Sequence, residues 1–316
     1  MKNISIIQAN ITISLPRENK GMSIKAFLSM TPCYLFLYVN SMMIFTMQSR
    51  STFLEKSRYI LFSHMLYTDS IQLVLSAILY LLAIAGVQMS EITCLILVIA
   101  SAVFTRISPL NLVLMSLERF VAICFPLRHA EMSTVGRTRL CICAIWLLGT
   151  LDSLTMLFVF VIHKSPSSSL KERYCSLAVY GANMHRIEVS FTFFYFVSSS
   201  VIITYTYIAI VRAAKSLTDQ AKKSTSKSNE TVLLHLVQLS LCLTSLFFNF
   251  VTKEIRPKLG EAAFLNIQYF LFMIFIICPR CLSPLIYGLR DQAFGSLFKY
   301  YFLFGTKAVV KPTSTQ

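Results

Sequence analysis

The residues able to do chemistry in this chain are charged side chains set into long apolar runs. Glu118 and Arg119 stand side by side near the end of one run, and Arg106 interrupts the same run further back. Asp69 sits in the middle of another, within Leu66-Tyr67-Thr68-Asp69, while Asp152 and Arg280 fall inside two more. Ionised groups are expensive at membrane depth and are held there by a counter-charge, a proton or a polar network, so each is a functional candidate. The chemistry open to them is the pairing, unpairing and binding of ions. Catalysis has no comparable support: no nucleophile stands beside a base, and the five histidines lack metal-ligand spacing. The chain reads as neither an enzyme nor a metalloprotein.

The elements that carry these charges are long and apolar. Of 316 residues, 55% are hydrophobic and 14% charged, and mean hydropathy is +0.65; a soluble domain carries about a quarter charged residues. Runs of roughly 20 apolar residues, enough to cross a bilayer as a helix, lie near 26–48, 59–85, 91–124, 139–161, 188–213, 231–252 and 265–288. They predict one domain of seven spanning helices, with no internal repeat. With the N-terminus outside, sixteen Lys and Arg fall in inner segments and eleven in outer ones, the bias expected of cytoplasmic loops. The sequons at Asn3 and Asn10 agree with an extracellular, glycosylated tail. A net charge of +15 spread over short loops points to anionic inner-leaflet lipid, with no nucleic acid partner. Cys94 opens the third span on the outer side, and Cys175 is the one cysteine of the long outer loop. Both meet the oxidising compartment, so a disulfide between them is expected.

The run Met115-Ser116-Leu117-Glu118-Arg119-Phe120-Val121-Ala122-Ile123-Cys124-Phe125-Pro126-Leu127-Arg128 resembles the inner end of the third helix in odorant receptors. These are a branch of the class A (rhodopsin-like) G-protein-coupled receptors. Glu-Arg-Phe stands where the family has Asp-Arg-Tyr. The stretch from Cys278 to Arg290 is also similar, with Ser283-Pro284-Leu285-Ile286-Tyr287 in place of Asn-Pro-x-x-Tyr. Trp146 in the fourth span and the distance from Cys94 to Arg119 fit the same family. The likeness, to fish-type odorant receptors in particular, covers about Asn40 to Asp291. It implies an all-α membrane protein of the plasma membrane: an extracellular tail over 1–25 and a seven-transmembrane helix bundle over 26–288. A short amphipathic eighth helix along the inner membrane surface and a cytoplasmic tail would fill 289–316.

The resemblance also implies roles. Glu118, Arg119, Phe120, Tyr205, Pro284 and Tyr287 take part in activation and G-protein coupling. Asn40, Asp69 and Ser283 form a polar network able to hold sodium or to switch by protonation of Asp69; the alternative is a protonated, hydrogen-bonded structural aspartate. Depth and helical face nominate Val98, Ser101, Ala102, Thr105 and Arg106 as ligand contacts, with Asp152 beside Arg106. That pair is either a structural salt bridge or the seat of an anionic odorant group. The implied partners are a small, water-soluble odorant, a stimulatory or olfactory-type heterotrimeric G protein, and membrane lipids. Two other readings stand beside this one: a class A receptor for a non-odorant small ligand, and a polytopic transporter. Transporters favour repeated halves, and none is visible. A retinal receptor needs a lysine in the seventh span, which lacks one, and an amine receptor needs a carboxylate where Ser101 stands.

Overall fold

A backbone inside hydrocarbon must satisfy its own hydrogen bonds, so spanning runs of this composition become helices. The computed structural model describes residues 20–50, 53, 55–85, 87–163, 173–174, 182–215, 240–241, 243–245, 247–281 and 292–302. Its helices are α1 (Lys20–Gln48), α2 (Ser57–Ile84), α3 (Glu91–Cys124), a short α4 (His129–Met132), α5 (Val135–His163) and α6 (Ala182–Lys215). After these come α7 (Phe248–Ile255), α8 (Glu261–Phe272, continued through Met273–Ile277) and α9 (Gln292–Phe302). Five are long and apolar enough to cross a membrane: Met30–Gln48, Ser57–Leu82, Ile92–Cys124, Val135–Ile162 and Arg186–Ala213. A shorter apolar stretch, Asn266–Cys281, lies in α8. Most of the run near 231–252 and the end of the run near 265–288 lie outside the described residues. Several helices outrun their apolar stretches. α1 begins at Lys20, and α5 and α6 extend past the expected bounds at both ends.

Local chemistry shapes the helices. Ser90 caps α3 by accepting from the Thr93 backbone N–H at 3.1 Å, and Pro32 and Pro109 lie inside α1 and α3. Proline removes one ladder bond wherever it sits in a helix. In α8, Pro279 is preceded by a π turn over Met273–Ile277, in which the Cys278 N–H donates to the Met273 carbonyl five residues back. Such a turn rotates the face presented by every residue beyond it.

The main core joins α1, α2, α3 and α6 through Met43, Met47, Leu66, Leu112 and Ile203. Gly149 lets α5 approach α3 closely: a Cβ there would lie 2.9 Å from Ile107 Cγ1. Between α2 and α3, strand β1 (Gln88–Met89) pairs antiparallel with β2 (Arg173–Tyr174), Gln88 opposite Tyr174.

α9 departs from the expected surface helix. Phe294 packs on Phe53 and Phe62, Tyr301 on Phe45, and Phe302 on Tyr38. Its contacts therefore climb back along α1. The cause is a stripe of Phe294, Phe298 and Phe302 at four-residue spacing, which buries best against a helix flank.

Candidate functional site

On α2, Asp69, Gln72 and Ser76 share one face at helical spacing, and all three are buried. Gln72 donates from Nε2 to Ser76 Oγ at 3.2 Å and to Ser101 Oγ of α3 at 3.1 Å. One turn further along, Asp69 accepts from the Ser108 hydroxyl. Asn40 of α1, fully buried, donates to Ser70 at 3.1 Å and, among the described residues, leaves its own Oδ1 without a hydrogen-bond partner. Arg280 of α8 is also buried. Its Nη1 donates to the Ile276 carbonyl at 2.6 Å.

Closer to the Cys124 end, a relay crosses three helices. Trp146 Nε1 donates to His64 Nε2 at 3.0 Å, His64 Nδ1 meets Asn111 Oδ1 at 3.2 Å, and Asn111 Nδ2 donates to the Leu61 carbonyl at 3.2 Å. The indole has only a donor, so His64 Nε2 accepts and its proton sits on Nδ1.

A second charged centre lies where α3, α5 and α6 meet. Arg106 Nε donates to Asp152 Oδ2 at 2.8 Å. The Asp152 Oδ1 accepts from the Ser153 backbone N–H at 2.9 Å. Tyr195 of α6 places its ring 5.6 Å from the guanidinium carbon and donates its hydroxyl to the Leu148 carbonyl. Arg106 thus meets Asp152 through its Nε.

The third centre closes α3. Glu118 lies 3.3 Å from His129 Nε2 and 4.0 Å from Arg119 Nε. The Glu118 side chain is 8% exposed against 38% for Arg119. The carboxylate thus turns into the bundle, and the guanidinium turns out of its end.

The nominated residues fall into distinct places. Ser101 is tied to Gln72 on α2, and Thr105 donates to the Ser101 carbonyl within its own helix at 2.9 Å. Val98, Ala102 and Thr105 are half-buried. Tyr205 lies beside Phe120, ring centres 5.9 Å apart, but is 63% exposed. Cys94 is disulfide-bonded; Cys175, Asn3, Asn10, Ser283, Pro284 and Tyr287 lie outside the described residues. Cys278 and Cys281, three positions apart around Arg280, are free thiols, one exposed and one buried.

A sodium ion at Asp69 needs converging oxygen donors and no competing cation. Asn40 gives its amide N–H to Ser70 and, among the described residues, keeps its Oδ1 open, while Ser283 lies outside the described residues. Arg280 is a cation buried on the neighbouring α8, and a second cation beside it is disfavoured. His64, Ser108, Asn111, Tyr195 and His129 have no role in the sequence reading. The stripe of Asp69, Gln72 and Ser76 was the available signal for the α2 network; isolated polar residues elsewhere gave none.

These buried charges inside long apolar helices are those of a membrane receptor, and comparison with known proteins agrees. Residues 27–287 match the 7 transmembrane receptor (rhodopsin family). The chain belongs to that family, whose members are receptors and not enzymes. It is 34% identical over 300 residues to Odorant receptor 131-2 of Danio rerio, covering 92% of this chain and 88% of that protein. Olfactory receptor 52A1 of Homo sapiens is 26% identical over 306 residues, with 89% and 95% covered. Neuromedin U receptor homolog nmur-2 of Caenorhabditis elegans is 22% identical over 219 residues, with 58% and 54% covered.

Proposed function

We propose that this receptor binds a small, water-soluble odorant within its helix bundle and activates a stimulatory, olfactory-type G protein at the plasma membrane. Its likeness to Odorant receptor 131-2 along nearly the whole chain supports the odorant class. The observation that carries the site is Arg106. A guanidinium presents five donors in a fixed fork, and Asp152 engages one of them. An odorant carboxylate or sulfonate takes the others, flanked by Val98, Ser101, Ala102 and Thr105. The ligand favours one of two bundle packings by its differential affinity.

The coupling end is Arg119, with Glu118 holding the resting arrangement and Phe120, Tyr205, Pro284 and Tyr287 repacking around it. In this reading the bundle spans 26–288 as seven helices, with residues 1–25 extracellular and glycosylated at Asn3 and Asn10. Cys175 bonds Cys94 across the bundle mouth. β2 ends beside Cys175 and pairs with β1 just ahead of Cys94, which supports that bridge. The tail over 289–316 begins with α9 packed on the flank of α1 and is cytoplasmic beyond it.

A cyclic-AMP reporter screen of acidic and neutral water-soluble odorants tests the proposal. Acidic agonists are expected, and surface-matched Arg119→Ala receptor is expected to bind them without signalling. Full cyclic-AMP responses from Arg119→Ala would overturn the coupling role.

A further inference from the structure

The buried charges of the described residues come as two acids and two bases: Asp69, Asp152, Arg106 and Arg280. Arg106 and Asp152 are bonded to each other, which leaves one carboxylate and one guanidinium in the rest of the core. Asp69 and Arg280 are each 2% exposed. Their helices are packed together one turn away. Leu73, four residues after Asp69, shares a buried cluster with Ile276 and Ile277, which precede Arg280 by one turn. The π turn before Pro279 sets the face on which Arg280 emerges. Its Nε and Nη2 are buried and, among the described residues, have no hydrogen-bond partner, so the side chain keeps donors to spare at the depth of Asp69.

We infer that Arg280 is the resident cation of Asp69, tethered in the role that a dissociable sodium ion would otherwise fill. A guanidinium does not deprotonate at any accessible pH, and being covalently attached it does not respond to salt composition. Asp69 is therefore compensated in every ionic condition. The receptor's resting state is insensitive to sodium, and the equilibrium between packings is set by ligand and G protein alone. The inference rests on the helix bundle and on no particular odorant.

The test is thermal unfolding of purified, detergent-solubilised full-length receptor in sodium, potassium or N-methylglucamine chloride at matched ionic strength, without ligand or G protein. The wild type is expected to unfold at the same temperature in all three salts. Arg280→Gln is expected to unfold at lower temperature and to regain several degrees in sodium specifically. Arg280→Gln with Asp69→Asn, a neutral pair, is expected to show no cation preference, and Arg280→Lys is expected to behave as the wild type. A sodium-specific rise in the wild type that Asp69→Asn removes would overturn the inference. So would a folded Arg280→Gln receptor that ignores sodium. Should Arg280→Gln fail to fold, the wild-type salt comparison alone decides. Loss of odorant responses in every variant would bear on the proposed function and leave this result standing.

Discussion

Glu118 lies closer to His129 than to its own neighbour Arg119, 3.3 Å against 4.0 Å. The carboxylate is therefore shared between the end of α3 and the short helix that follows it. Removing the histidine is expected to loosen the end of α3. A half-exposed pair of this kind is worth about 0.5 kcal/mol, roughly a two-fold shift in a two-state equilibrium. His129→Ala is expected to raise ligand-free cyclic AMP by that order in surface-matched cells, and Glu118→Gln by more. Unchanged basal signalling in both would remove Glu118 as a restraint.

The Arg106–Asp152 pair predicts asymmetric mutants. Breaking a buried pair from one side costs about 3–5 kcal/mol because the other charge is stranded. Arg106→Gln is expected to lower the unfolding temperature and to abolish responses to anionic odorants. Asp152→Asn frees the guanidinium, so its surviving surface receptor is expected to keep or strengthen those responses. Anionic agonists that act equally on folded Arg106→Gln receptor would rule the ligand role out.

Gly149 is a packing constraint of the same α3–α5 contact. Ile107 is fully buried beside Val103 and Ile145. Gly149→Ala is expected to cost about 1–3 kcal/mol through overpacking, seen as a lower unfolding temperature. Ile107→Ala in the same chain should recover part of it. Simple additivity of the two losses would show that the close approach is not tight.

Much of this architecture is legible in the chain, because hydrocarbon selects for apolar length and that signal is strong over each run. Arg106 and Asp152 are readable as partners only because two lone charges at similar depth have few alternatives. Arg280 reads from the sequence as a second candidate cation close to the inner polar network; a π turn just before it then sets its face on α8. His64 gives no signal, since a single histidine without metal spacing looks like any other polar residue. The path of α9 is set by packing against Phe53, Phe45 and Tyr38, which its own amphipathic pattern cannot report.

For the outer face, the prediction concerns Cys94. Its bond to Cys175 is expected to appear in peptide mapping of the unreduced protein, and Cys94→Ser or Cys175→Ser is expected to cut surface delivery. Loss of a native disulfide typically costs about 2–5 kcal/mol. A free Cys175 thiol in surface-purified receptor would exclude the bridge.

The hydrogen bonds from Trp146 to Leu61 run in one direction only. The indole can give a proton but not take one, so His64 must be neutral, and Asn111 must face it with its oxygen. The orientation of every member is dictated from one end. α2, α3 and α5 are thereby keyed to a single relative rotation, and turning any of them breaks the chain at a buried donor. These three helices form one locked unit.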